Sequence, residues 1–292
     1  MVSAQFDHLA GGIAGGFTST LVCHPLDLLK VRFSANEGDP MRPQYRSYWH
    51  AAKSIVSSQG VRGLYQGVTP NLIGATVSWG LYFQFYNITK DRMRSAFGVS
   101  ELAPAYHLAS GMIAGTSVMA VTNPIWVVKT QLCLQYETQQ KAYRGFSDAL
   151  VKIYKKEGIR GLYRGFVPGI IGTSHGALQF MAYDYLKERK CKRLNIPATS
   201  KLDTTDYLLY SSVSKIFAVT TTFPYQVVRT RLQDQHVQYR GVVDVVVKTY
   251  KREGIRGFYK GLLPSNLRVL PAICITFVVY ENVVQMLASF KS

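Results

Sequence analysis

Long apolar stretches without a charge alternate along this chain with polar, basic ones. No Lys, Arg, Asp or Glu falls in Gly63–Thr89 or in Leu102–Val128, two runs of 27 residues. Gly165–Tyr183 is a run of 19 and Leu9–Leu26 one of 18. Residues 207–228 and 269–286 are similar but are interrupted by Lys215 and Glu281. A helix crossing a bilayer core takes about 20 predominantly apolar residues, so the pattern predicts six spanning helices. A buried helix of a soluble core is the alternative for any single run, and six together favour the membrane. The polar stretches between them are amphipathic. In one, Phe146, Ala149, Leu150 and Ile153 share a face while Asp148, Lys152 and Lys155 lie elsewhere, which predicts a short surface helix. Met1–His8 has no basic n-region and no small-residue cleavage site follows the first run, so no secretory signal is expected.

The pattern repeats three times. Pro25-x-Asp27-x-x-Lys30-x-Arg32 returns as Pro124-x-Trp126-x-x-Lys129-x-Gln131 and as Pro224-x-Gln226-x-x-Arg229-x-Arg231. A glycine-rich element follows each copy, starting at Gly60, Gly158 and Gly254 and closing at Gly67, Gly165 and Gly261. Three residues beyond each closing glycine stands Pro70, Pro168 or Pro264, and Tyr45, Tyr143 and Tyr239 each precede the opening glycine by 15 residues. A period near 100 residues divides the chain into repeats 1–100, 101–200 and 201–292, each reading as helix, basic segment, helix. Gly12/Gly16 and Gly111/Gly115 have the spacing that lets membrane helices approach closely. Gly11–Gly16 superficially matches a dinucleotide fingerprint, but that motif needs a preceding strand, and only ten residues precede it.

These motifs resemble the mitochondrial carrier family over essentially the whole chain. The resemblance implies an all-α membrane protein: six transmembrane helices in a pseudo-threefold bundle, with short amphipathic helices on the matrix side. It implies a monomer in the mitochondrial inner membrane, with both termini in the intermembrane space. It also implies transport by alternating access rather than catalysis, with no prosthetic group and no metal.

A proline inside a membrane helix removes a backbone hydrogen bond and kinks the rod. Kinks at Pro25, Pro124 and Pro224 can bring the odd helices together at one level. By the family's order the acid of one repeat meets the base of the next at a matrix gate. Asp27 is then expected to pair with Lys129, Trp126 to meet Arg229, and Gln226 to hydrogen-bond Lys30. Trp126 either holds Arg229 by a cation–π contact, worth about 0.5–2 kcal/mol, or packs between helices. The second element of the family, on the even helices, leaves Lys90, Asp184, Lys187 and Glu281 for a cytoplasmic gate. Glu281–Lys90 is the expected intact pair. Asn87-Ile-Thr89 has the form of a glycosylation sequon but lies within a predicted membrane helix.

Breaks in the threefold pattern mark substrate contacts, because an asymmetric solute needs them and the scaffold does not. Gly74, Gly172 and Arg268 stand four residues beyond the even-helix prolines, the level at which the family binds its substrate. Arg268 is the one charge there, and an ionisable group in a membrane segment is costly enough to be a functional candidate or half of a structural pair. Lys215 replaces the glycines Gly16 and Gly115 of the other repeats, either facing a water-filled cavity or snorkelling to an interface. Trp79, Tyr82, His175 and Gln179 have no counterparts of the same type in the other repeats, and Trp126 and Arg229 complete the candidate binding set.

Composition narrows the rest. The chain has 292 residues, a formal charge of +17, 47% hydrophobic and 17% charged residues, which excludes a disordered chain. Cys23, Cys133, Cys191 and Cys274 lie far apart and read as reduced thiols. Residues 30–62, 129–164 and 229–260 hold 22 of the 34 basic and 8 of the 17 acidic residues, a net +14. All three follow odd helices, so they share one membrane side, where a basic excess fits the matrix face and a bound anionic lipid such as cardiolipin. A nucleic-acid-binding protein is the reading from another class, but these charges are not interleaved with readout elements. Six scattered histidines supply no nucleophile–base pair for an enzyme. Lys215 and Arg268 with the aromatic residues favour an anionic, planar solute. Pro124-Ile-Trp126 and the surrounding runs resemble the family branch that carries folate, flavin, NAD and pyrimidine nucleotides. FAD and/or folate are the expected substrates, with NAD or pyrimidine nucleotides as the alternative.

Overall fold

The three prolines sit inside continuous helices, each of which runs on for about ten residues beyond its proline. In a computed structural model, which describes residues 2–38, 42–98, 104–136, 142–194, 197 and 203–289, the odd helices are α1 (Val2–Ala35), α4 (Pro104–Cys133) and α8 (Thr204–Gln233). The even ones are α3 (Val68–Phe97), α6 (Phe166–Gly172) with α7 (Ser174–Leu194), and α10 (Leu262–Leu267) with α11 (Val269–Ser289). Thr173 and Arg268 join the last two pairs and keep helical dihedrals, so each pair continues as one rod. The amphipathic segments form α2 (Tyr48–Gln59), α5 (Phe146–Leu162) and α9 (Val242–Glu253), and no strand occurs among the described residues. The fold is all-α, with the helix–surface helix–helix order of each repeat.

Alternate neighbours pack most closely: α1 along α11, α3 along α4, and α7 along α8, giving a ring of six rods. The small-residue pair on α1 is one residue away from the expected one. Gly11 and Gly15 face α11, where a methyl at Gly15 would meet the Thr276 carbonyl at 2.7 Å, while Gly12 and Gly16 have nothing within 4 Å. The expected spacing was right, but two glycine pairs share it and only packing chooses between them. On α4, Gly111 and Gly115 do face neighbours, Tyr82 and Thr173.

One end of the ring is pinned by the glycine-rich elements. Gly67, Gly165 and Gly261 hold φ of +78°, +74° and +91°, left-handed values that favour glycine. Each also presses on the next repeat's odd helix, near the carbonyls of Lys129, Arg229 and Lys30 respectively. A methyl at Gly261 would lie 2.7 Å from the Lys30 oxygen. Behind these contacts Arg32 donates to the Cys133 and Gln135 carbonyls, and Arg231 donates to the Ser34 carbonyl, so guanidinium groups tie the repeats together. The side chain before each element grips the one before its closing glycine: Gln59 with Gln66, Glu157 with Arg164, Glu253 with Lys260.

Taken singly, and among the described residues, two helical stretches, Ala109–Cys133 and Ile255–Leu287, are long and apolar enough to cross a membrane.

Candidate functional site

At the pinned end the rods enclose a cavity of about 320 Å³. Five cationic side chains line it, Lys30, Lys129, Lys215, Arg229 and Arg268, and no Asp or Glu does. Trp126, Tyr225 and His175 supply rings. These residues come from α1, α4, α7, α8 and the α10–α11 junction, so every repeat contributes.

The charge contacts differ from the expected ring order. Asp27 pairs with Arg268, whose Nη1 donates to Oδ1 at 2.7 Å, and not with Lys129. Lys129 has no carboxylate within 4 Å among the described residues. Asn71 donates to the other Asp27 oxygen at 3.4 Å. Lys30 donates to Gln226 at 2.6 Å and lies 5.8 Å from the Phe223 ring. Arg229 donates to Asn123 Oδ1 at 3.3 Å and makes no cation–π contact with Trp126.

Trp126 instead lies on Gly74, where a methyl would meet the indole at 3.2 Å. Tyr225 covers Gly172 in the same way, at 2.7 Å. Each of the three even-helix positions meets the next repeat's proline motif: Gly74 and Arg268 meet the second residue beyond the proline, Trp126 and Asp27, while Gly172 meets the first, Tyr225. Gly74 and Gly172 are seats for rings and do not line the cavity. Both were expected among the substrate contacts; a ring of the next repeat stands between each of them and the cavity. The reason is steric: a residue without Cβ leaves room for an aromatic ring, and the ring takes the room.

His175 lines the cavity and shares a 3.1 Å hydrogen bond with Thr222. Lys215 lines it too, and no carboxylate lies within 4 Å of its amine among the described residues. Trp79, Tyr82 and Gln179 are not in the lining. Tyr82 packs on Gly111 and stacks on Tyr86, which is bonded to His107 at 2.9 Å, so it belongs to the α3–α4 seam.

The opposite end is unlatched. Lys90 lies 5.6 Å from its own helix's Tyr86 ring. The expected Glu281–Lys90 pair is not formed, and Asp184 and Lys187 make no ion pair among the described residues. Neighbouring rods still touch at this end, where Lys190 of α7 pairs with Asp206 of α8 and Tyr86 of α3 bonds His107 of α4, but the gate charges of different repeats do not meet.

Sequence reasoning missed the polar residue preceding two of the three prolines; the third, Phe223, is apolar. His24 bonds the Gln66 carbonyl at 2.9 Å and Asn123 donates to the Leu162 carbonyl at 2.8 Å, so both clamp their own glycine-rich element. A polar residue at the end of an apolar run, immediately before proline, was the available signal. Below the cavity, Arg42 of the first repeat and Asp234 of the third form an ion pair at 2.7 Å with both side chains 2% exposed. Tyr136 of the second repeat lies over Arg42 and Arg32, and burial pushes its phenol up to about 12. Cys23, Cys133 and Cys191 are buried and all four thiols are free.

The chain matches the mitochondrial carrier protein family model three times, over residues 3–97, 100–194 and 200–291. The chain belongs to the mitochondrial carrier family. It is 41% identical to folate transporter 1, chloroplastic, of Arabidopsis thaliana, over 98% of this chain and 96% of that one. It is 35% identical to nicotinamide adenine dinucleotide transporter 2, mitochondrial, of Arabidopsis thaliana, over 93% and 77%. It is 32% identical to the mitochondrial FAD carrier protein FLX1 of Saccharomyces cerevisiae, over 93% and 94%. For a member of this carrier family, the cavity is a candidate solute site, with one end pinned and the other open.

Proposed function

We propose that this protein carries an anionic planar cofactor, FAD and/or folate, across the mitochondrial inner membrane by alternating access. The observation that carries the reading is the cavity: five cations, the rings of Trp126, Tyr225 and His175, and no acid, enclosed by all three repeats. Unpaired positive charge in a membrane interior is expensive, and an anionic solute offsets that cost. The names of the relatives, a folate transporter and an FAD carrier among them, support the same substrate class.

Arg268 links solute to gate. Its Nη1 is held by Asp27, while its Nε is buried without a partner. A carboxylate or phosphate that takes Arg268 competes with Asp27 for it and loosens the seam between α1 and α10–α11. Only differential affinity for the opened arrangement can drive such a switch. In this reading the pinned end faces the matrix, both termini face the intermembrane space, and the protein works as a monomer. The basic surface helices hold cardiolipin headgroups.

NAD is the second reading, favoured by the likeness to a nicotinamide adenine dinucleotide transporter, with pyrimidine nucleotides beside it. The experiment is uptake of labelled FAD, folate, NAD and UTP by liposomes containing the purified protein, compared side by side. Saturable uptake of FAD or folate above the other two supports the proposal, and uptake of NAD or UTP alone overturns it.

A further inference from the structure

Two aromatic side chains on α3 stack on each other, with the Tyr82 ring edge-on to both. The rings of Trp79 and Phe83 lie 6.0 Å apart at an interplanar angle of 28°, yet these residues are 64% and 60% exposed. At 3.6 residues per turn both fall within about 20° of Lys90 around α3. Leu81, Phe85 and Ile88 fall on the opposite side, the strip suited to lipid. Tyr82 and Tyr86 occupy the seam with α4, as their contacts with Gly111 and His107 show. Trp79 and Phe83 therefore border the interior of the ring on the open side of the cavity. With a rise of 1.5 Å per residue they lie about 7.5 Å and 13.5 Å along the axis from Gly74, which seats the cavity-lining Trp126.

We propose that Trp79 and Phe83 form a stacking platform for the planar ring of the transported anion, whose charged groups go to the cations of the cavity. The solute is then held with its charge towards the pinned end and its ring towards the open end. This rests on the proposed function and sharpens its substrate class. The solute must place a flat ring and an anionic group well apart, as an extended cofactor such as FAD or folate does. A compact nucleoside phosphate reaches the platform or the cations but not both. The exposed, mutually stacked rings have a role in this account, since a polycyclic face laid on them buries both. Phe83 becomes a specificity-determining residue beside Trp79, and Tyr82 a scaffold residue of the α3–α4 seam.

The test is isothermal titration of the purified protein in lipid nanodiscs with FAD and, separately, with inorganic pyrophosphate, an anion without a ring. Phe83→Leu and Trp79→Leu should each weaken FAD binding on the order of tenfold, as loss of one base–aromatic stack does. Pyrophosphate affinity should be unchanged, and Phe83→Tyr should bind FAD like the wild type. Equal weakening for both ligands would assign the rings a structural role and overturn the platform. Unchanged FAD affinity in both leucine variants would also overturn it, alone. A wild-type protein that binds none of FAD, folate and NAD overturns the proposed function, and the platform falls with it.

Discussion

Arg268 of the third repeat donates to Asp27 of the first at 2.7 Å, while the other two seams between repeats set a ring on a glycine at this level. Asp27 is 5% exposed at its side chain and Arg268 35%, so the pair joins a buried acid to a base that still reaches the cavity. Arg268 is thereby both a gate residue and a solute ligand. Asp27→Asn should release Arg268 to the solute, lowering the KM for an anionic substrate while slowing turnover, because the seam is no longer a latch that the solute must open. Liposome uptake kinetics of this variant check that split, and an unchanged KM would contradict it.

Gly172 carries the Tyr225 ring at a distance no side chain tolerates. Gly172→Ala should destabilise the protein by about 1–3 kcal/mol, the usual range for overpacking. Tyr225→Ala in the same chain should restore part of that loss. Thermal unfolding of the single and double variants in detergent reads the coupling, and additive effects would show that the two do not touch.

Arg42 and Asp234 are a buried pair between the first and third repeats, outside the cavity. Leaving one charge of such a pair unpartnered costs about 3–5 kcal/mol, so Asp234→Asn should lower the unfolding temperature markedly. Arg42→Met with Asp234→Leu should recover most of the stability. A single variant as stable as the wild type would contradict the buried geometry.

Lys215 lines the cavity with no acid within 4 Å among the described residues. Lys215→Gln should reduce anion uptake without lowering thermal stability, since no ion pair is broken. A stability loss matching that of Asp234→Asn would instead point to a structural role.

Much of this was legible in the chain because a threefold repeat states each rule three times. The prolines, the glycine-rich elements and the surface helices follow from spacing, and the Lys30–Gln226 contact from the ring order that the family resemblance implies. The partner of Asp27 was not legible. The ring order names Lys129, but Arg268 reaches further along the seam and forms the closer contact. Gly74 and Gly172 were placed at the substrate level by their spacing from proline; each backs a ring, Trp126 or Tyr225, and a single repeat cannot show which ring of its neighbour arrives. The choice between Gly11/Gly15 and Gly12/Gly16 also depended on a helix more than 250 residues away. Local pattern places each side chain on its own rod, and the packing of six rods decides which of them meet.

The most direct measurement is the initial rate of labelled FAD uptake into liposomes carrying equal amounts of folded wild-type protein or Arg268→Ala. Saturable uptake by the wild type that Arg268→Ala abolishes, at unchanged reconstitution yield, is the predicted result. Wild-type rates in Arg268→Ala would contradict the account.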